Sequence, residues 1–380
     1  MKRLCLLLFI VVATTSLRAQ PDRFDSLVTI GINKIYNIKF DEAERVFKGV
    51  IADYPSRPAG KFFLAMTDWW KIMLDVDNES YDDIFFAKLE DVIYQCDQIL
   101  KKDEANVDAL FFKGGSIGFR GWLRAFRESW LKAADDGRDA LPIIYRAYKL
   151  NPDNVDVQLG FGIYNYYASI IPQHYPFVIP LMIFFPVGDK ERGIKELSNV
   201  ALRGKYAKTE ARYFLMQLYY QFEGNYDKAL EYARLLNREY PDNPVFERYA
   251  GRISVKKGDF QTADFVFNDV LTKVSKGLTG YDNAASREAV YYLGYHKKLM
   301  GQFDSALMYF KLCENLSRKL DGANQSGFLV NSVLYIGNIY DQSGQRDKAL
   351  ACYKELLDIK EFGQSRVLAK KYIEKPFGKW

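Results

Sequence analysis

The side chains able to do chemistry are few and poorly spaced for it. The chain has two histidines, His174 and His296, and a metal would need further His, Cys or carboxylate ligands at binding spacings around them. Neither has such neighbours. Asp82-Asp83 and Asp135-Asp136 suggest paired acids, but adjacent residues on a helix point about 100° apart, so they read as helix-start or solvated groups. Gly114-Gly115-Ser116 lacks the Lys-Ser/Thr ending of a phosphate loop, and Gly160-Phe161-Gly162 has no strand before it to make a dinucleotide fingerprint. No residue is assigned to catalysis, to a cofactor or to a metal, and the chain reads as a non-enzyme.

The start of the chain reads as an address. A basic Met1-Lys2-Arg3 precedes an apolar core, Leu4 to Val12, and a polar end at Ser16-Leu17-Arg18-Ala19-Gln20. This is the pattern of a secretory signal peptide over 1–19, too short to span a bilayer. Export to a periplasm or an envelope surface is therefore expected. The 53 basic and 48 acidic residues become 50 and 48 once Lys2, Arg3 and Arg18 are removed. Such a balance gives no net attraction for nucleic acid. Cys5 leaves with the leader. Cys96, Cys313 and Cys352 are too few for a disulfide framework. They are expected to pack as small apolar groups, with a Cys313–Cys352 bridge as the alternative.

The elements that must position everything else repeat. Gly251, Ala263 and Phe267 keep the same order and spacing of types as Gly294, Ala306 and Phe310, and as Gly337, Ala349 and Tyr353. Small residues stand where two helices touch, and an aromatic fills the gap one turn later. With the alanine as a ruler, the marks fall at Ala43, Ala140, Gly193, Ala229, Ala263, Ala306 and Ala349. The first full step, Ala229 to Ala263, is 34 residues, and the next two are 43 each. Gly224, Gly258, Gly301 and Gly344 are placed to end first helices in a left-handed conformation. Tyr54-Pro55, Asn151-Pro152 and Tyr240-Pro241 close units, because proline has no backbone donor and clashes with the preceding turn.

This pattern resembles the tetratricopeptide repeat over most of residues 24–360. The resemblance implies an all-α, right-handed superhelical solenoid of antiparallel helix pairs, a single domain over 20–380. Its expected parts are partly degenerate repeats over 24–130, repeats with an insertion over 131–204, regular repeats over 205–362, and a capping helix and tail over 363–380. It further implies a groove that holds a protein or an extended peptide. Alignment on the alanines carries that groove onto Phe214 and Leu218, Arg248 and Arg252, Tyr291 and Tyr295, and Leu334 and Asn338. The family's lysine and asparagine pattern for clamping a carboxylate is not present in full.

One stretch breaks the pattern. After Gly160, the partner helix should open twelve residues on, but it opens near Gly193. The insertion between them, 171–188, carries Pro172, Pro176, Pro180 and Pro186, which exclude an uninterrupted helix. Phe177 to Val187 also holds nine large apolar side chains that must be covered. Two readings stand: the segment folds back and plugs the groove, or Phe177, Ile179, Leu181, Met182, Phe184 and Phe185 form a ridge that meets a lipid, a membrane or a partner. The runs Gly160 to Asn165, Ser169 to Pro172 and Gly188 to Gly193 are similar to a central motif of the eukaryotic tetratricopeptide-repeat-39 family, whose members are non-catalytic and linked to membranes or lipid bodies. The signal peptide departs from that family. A basic and aromatic run, Phe119 to Trp130, reads as a helix with a packed aromatic face and a solvated arginine face.

The sequence thus predicts an exported, non-catalytic scaffold for protein partners, with a lipid-contacting module built on 171–188 as the alternative.

Overall fold

The computed structural model describes residues 22–182, 185–322 and 325–378. Residues 1–19, read above as a signal peptide, and Phe184 lie outside them, as does the side chain of Leu181. Helices α1 (Arg23–Tyr36) and α2 (Phe40–Asp53) form the first pair, followed by α3 (Ala59–Leu74) with α4 (Asp82–Leu100) and α5 (Val107–Phe126) with α6 (Trp130–Leu150). In the next pair, α7 (Gln158–His174) and α9 (Lys190–Arg203) flank the short α8 (Ile179–Met182). Then come α10 (Lys208–Gln221) with α11 (Tyr226–Glu239), α12 (Pro244–Lys257) with α13 (Phe260–Ser275), α14 (Asn283–Leu299) with α15 (Phe303–Leu320), and α16 (Gly327–Gln342) with α17 (Arg346–Asp358). The final α18 (Ser365–Glu374) packs on α17. Among the described residues there is no strand, so the fold is the expected all-α solenoid.

The local rules work as the sequence suggests. A side-chain carbonyl or carboxylate caps many helix starts, as Asn225 does for the Lys228 amide at 3.1 Å and Asp259 for Thr262 at 3.1 Å. Gly224, Gly258, Gly301 and Gly344 all have φ between 60° and 76°. A Cβ added at Gly251 would sit 2.7 Å from the Phe267 ring, and one at Gly337 would sit 2.6 Å from Tyr353, so each glycine is the space its aromatic fills. Gly31 meets Phe47 in the same way. Gly31, Ala43 and Phe47 repeat the spacing of the later units.

One feature lies outside nearest-neighbour stacking. The end of α1 turns back onto helices far along the chain. The Tyr36 hydroxyl donates to Glu210 on α10 at 2.7 Å, and the Asn243 side-chain amide donates to the Tyr36 carbonyl at 2.9 Å. The Tyr36 ring packs against Trp70 at 5.1 Å and Tyr240 at 5.2 Å. At the other end of α1, Asp25 accepts from the Tyr206 hydroxyl and pairs with Lys205. The 204–207 loop is fixed by the buried Asp156, which accepts from the backbone of Lys205 at 2.7 Å and Tyr206 at 2.9 Å. One buried cluster accordingly runs from Phe24 to Ile253. The first five pairs together with α12 close a turn of the superhelix, whereas helices α13 to α18 bury separate, smaller clusters.

Glu210 sits fully inside this closure, and desolvation raises its carboxyl to about 7 despite the Tyr36 hydrogen bond. A raised carboxyl favours its neutral form in the fold. Its stabilising contribution is complete below its unfolded value near 4.5 and is lost as pH rises through about 7. The difference corresponds to about 3 kcal/mol. Urea unfolding between pH 5 and pH 8 should therefore show a fall in stability for the native chain, flattened in Glu210→Gln, which keeps an acceptor for Tyr36 without the charge.

Candidate functional site

Most charged residues that could suggest chemistry are spent on the fold. Asp136 is buried and takes Arg120 and Arg124, both at 2.6 Å, while Arg127 pairs with Asp82 at 2.6 Å. The expected single helix over 119–130 does not form. Helix α5 ends at Phe126, and the chain reverses through Glu128 at φ 56° before α6 begins at Trp130. Arg120, Arg124 and Arg127 are thus interhelical ties instead of a solvated face. Asp136 likewise is a buried ion-pair partner instead of a solvated group, because two guanidiniums compensate its desolvation. His296 Nδ1 lies 2.9 Å from Asp264 and its ring stacks on Phe260, and His174 packs edge-on to Phe222. Cys96, Cys313 and Cys352 are free thiols, the first two buried.

The eight groove positions fall into three sets. Phe214, Leu218, Leu334 and Asn338 are buried between helices, and Asn338 accepts from the Tyr353 hydroxyl at 3.0 Å. Arg248 and Arg252 reach from α12 to the fully buried Glu288 on α14. Desolvation pushes the Glu288 carboxyl up, but the two arginines outweigh it and hold it near 2. Tyr291 and Tyr295 stay partly exposed, with Tyr335 of α16 at 6.4 Å and 6.0 Å from them. One turn beyond Tyr295, Lys298 lays its ammonium over the Tyr335 ring at 4.9 Å and the Phe377 ring at 5.5 Å. Burial lowers its pKa, and among the described residues its ammonium makes no ion pair or hydrogen bond. Lys298 was not among the sequence-derived positions, although continuing the 291, 295 helical face by three residues reaches it.

The insertion is partly folded back and partly exposed. Helix α7 runs through Pro172 to His174, so the first of the four prolines lies within its last turn. Val178 is buried, and Phe185 packs over Gly137, with its ring 6.4 Å from Tyr164. The Tyr164 hydroxyl donates to the Pro186 carbonyl. Phe177 and Ile179 remain 59% and 50% exposed, beside Trp130, whose ring lies 5.6 Å from Phe177, and Met182 is intermediate. Among the described residues no helix is long and apolar enough to cross a membrane.

The closed turn leaves a chamber at its centre, of about 250 Å³, walled by α1, α3, α5, α6, α7 and α10. Five glycines on its wall (Gly114, Gly115, Gly118, Gly137 and Gly160) include three of the four dismissed above as nucleotide loops. Glu210 is the one Asp, Glu, Lys, Arg or His on that wall among the described residues.

The family comparison identifies a tetratricopeptide repeat over residues 335–362. No curated protein matches the chain. Among solved structures, yeast Tom70 is similar at a TM-score of 0.38 and 11% identity, over 94% of this chain and 89% of that one. A human IFIT1 dimer with m7Gppp-AAAA is similar at 0.36 and 12%, over 90% and 96%. A tetratricopeptide repeat protein from Parabacteroides merdae is similar at 0.31 and 14%, over 77% and 93%. At these scores the likenesses say nothing about what this chain binds. The match to the tetratricopeptide repeat covers 335–362, which holds the end of α16 and all of α17.

Proposed function

We propose that the chain is an exported, non-catalytic scaffold that holds an extended, acidic stretch of a partner protein against α14 and α16, in a periplasm or at an envelope surface. The observation that carries this reading is Lys298. An ammonium that is partly desolvated and set between two aromatic rings has lost hydration without gaining a carboxylate. A partner carboxylate would supply it, and Tyr291 and Tyr295 on the same helical face offer flat apolar area beside it. The Arg248–Arg252–Glu288 cluster stiffens the approach from α12 but is already internally compensated. Substituting Arg252 would strand Glu288, so Lys298 and Tyr295 are the informative positions.

Selection from a displayed library of random peptides should enrich acidic sequences on the native chain. Lys298→Glu should abolish that preference and weaken a selected peptide at least tenfold, with thermal stability little changed. Peptides without acidic bias, or equal affinity for the variant, would contradict the assignment.

A second reading rests on the exposed Phe177 and Ile179 beside Trp130, an apolar edge that suits a membrane surface. Liposome flotation of residues 20–380 should show binding that disappears when 172–187 is replaced by a short Gly-Ser loop in a variant that remains helical. Flotation of neither protein would remove this reading.

A further inference from the structure

The chamber at the centre of the closed turn is not explained by scaffolding. Its wall is built from apolar and aromatic side chains, and its tyrosine hydroxyls are already engaged. Tyr36 donates to Glu210, Tyr206 to Asp25 and Tyr164 to the Pro186 carbonyl. Water has little to bind in such a space, and apolar cavities of this kind stay dry or take an apolar guest. The space is held open by small residues on one face of α5. A Cβ added at Gly118 would meet nothing within 4 Å, and one at Gly115 would meet only the Phe62 ring at 3.5 Å. Glycine in mid-helix is disfavoured relative to almost any other residue, and no backbone twist demands it at Gly115 or Gly118, since neither has a positive φ. What these positions provide is room.

The geometry points to a hydrocarbon chain as the occupant of this chamber: we propose that the closed turn binds the acyl chain of a fatty acid or lipid, methyl end first. A volume of about 250 Å³ accommodates on the order of ten carbon atoms, at the roughly 30 Å³ that a water-sized group occupies in a liquid. Among the described residues the wall holds no lysine, arginine or histidine to pair with a ligand carboxylate, so the acid group is left towards solvent. The insertion supplies the approach. Phe185 rests on Gly137, a residue of the chamber wall, and the exposed Phe177 packs edge-on against Trp130 at the start of the same helix, α6. This inference is independent of the peptide-binding face on α14 and α16.

The test titrates dodecanoic acid into the full chain and follows tryptophan fluorescence, because Trp70 and Trp122 line the chamber. The native protein should bind one equivalent. Gly118→Leu, which fills the space, should weaken binding at least tenfold. Gly49→Leu on α2, where an added Cβ also meets nothing within 4 Å, lies outside the chamber and should leave binding unchanged. Gly115→Leu aims at the same space and decides the matter if Gly118→Leu folds poorly. Parallel mixing with phosphatidylcholine vesicles separates the sources: uptake of the free acid alone assigns a fatty acid, and extraction of vesicle lipid as well assigns a lipid acyl chain. Absence of dodecanoate binding by the native protein, or equal binding by the filled variants, overturns the proposal.

Discussion

The contact between Tyr36 and Glu210 is the point on which the first two thirds of the molecule turns. A solenoid repeat ordinarily touches only the units before and after it, and its stability is a sum of local terms. Here the first helix is held against α10 by a hydroxyl–carboxyl hydrogen bond and against the start of α12 by the Asn243 amide. Removing either partner would leave a buried polar group without compensation, so the arrangement is sensitive in a way that ordinary stacking is not. The same closure gathers the inner faces of α1, α3, α5, α7 and α10 around one axis. A chamber in that position is a consequence of closing the turn with small residues on the inside.

The two halves of the chain then divide their physical character. Within the closed turn, the inner surface is apolar. Beyond it, α12, α14 and α16 present tyrosines, arginines and one uncommitted lysine along a more open face. The Arg248–Arg252–Glu288 cluster lies between α12 and α14 and ties these helices together. A carboxylate buried under two guanidiniums adds little net stability over apolar packing, but its loss would be costly, which fixes the relation of these helices.

The helix pairs were legible in the sequence because their rules are local. Gly251, Ala263 and Phe267 specify a contact within a few dozen residues, and Gly258 and Gly301 mark turns by conformations that other residues rarely adopt. The Gly31, Ala43 and Phe47 triad obeys the same spacing and was equally readable. The closure was not, because nothing around Tyr36 announces a partner 174 residues away. Long-range polar pairing leaves no periodic trace. The same holds for Asp136, whose neighbouring acid made it look solvated, although Arg120 and Arg124 sit one helix earlier to compensate it. The groove positions on α14 were found by alignment, yet Phe214 and Leu334 are buried, since alignment gives the helix face but not the depth at which a neighbour covers it. The glycines of α5 were judged against nucleotide-binding loops and set aside, while their actual effect, an inner face without side chains, depends on which helices surround them.

Spin labels placed at Ile30 and Leu202, both exposed, would report the closure most directly, with Cys352 replaced by serine to keep the labelling specific. These positions lie on α1 and on α9, which leads into the Lys205–Tyr206 segment that meets Asp25 of α1. Pulsed dipolar spectroscopy should give one narrow, short distance distribution in solution, broadened and lengthened when Tyr36→Phe and Asn243→Ala are combined. A broad, long distribution in the native chain would mean that the repeats form an open solenoid, and the central chamber would not exist.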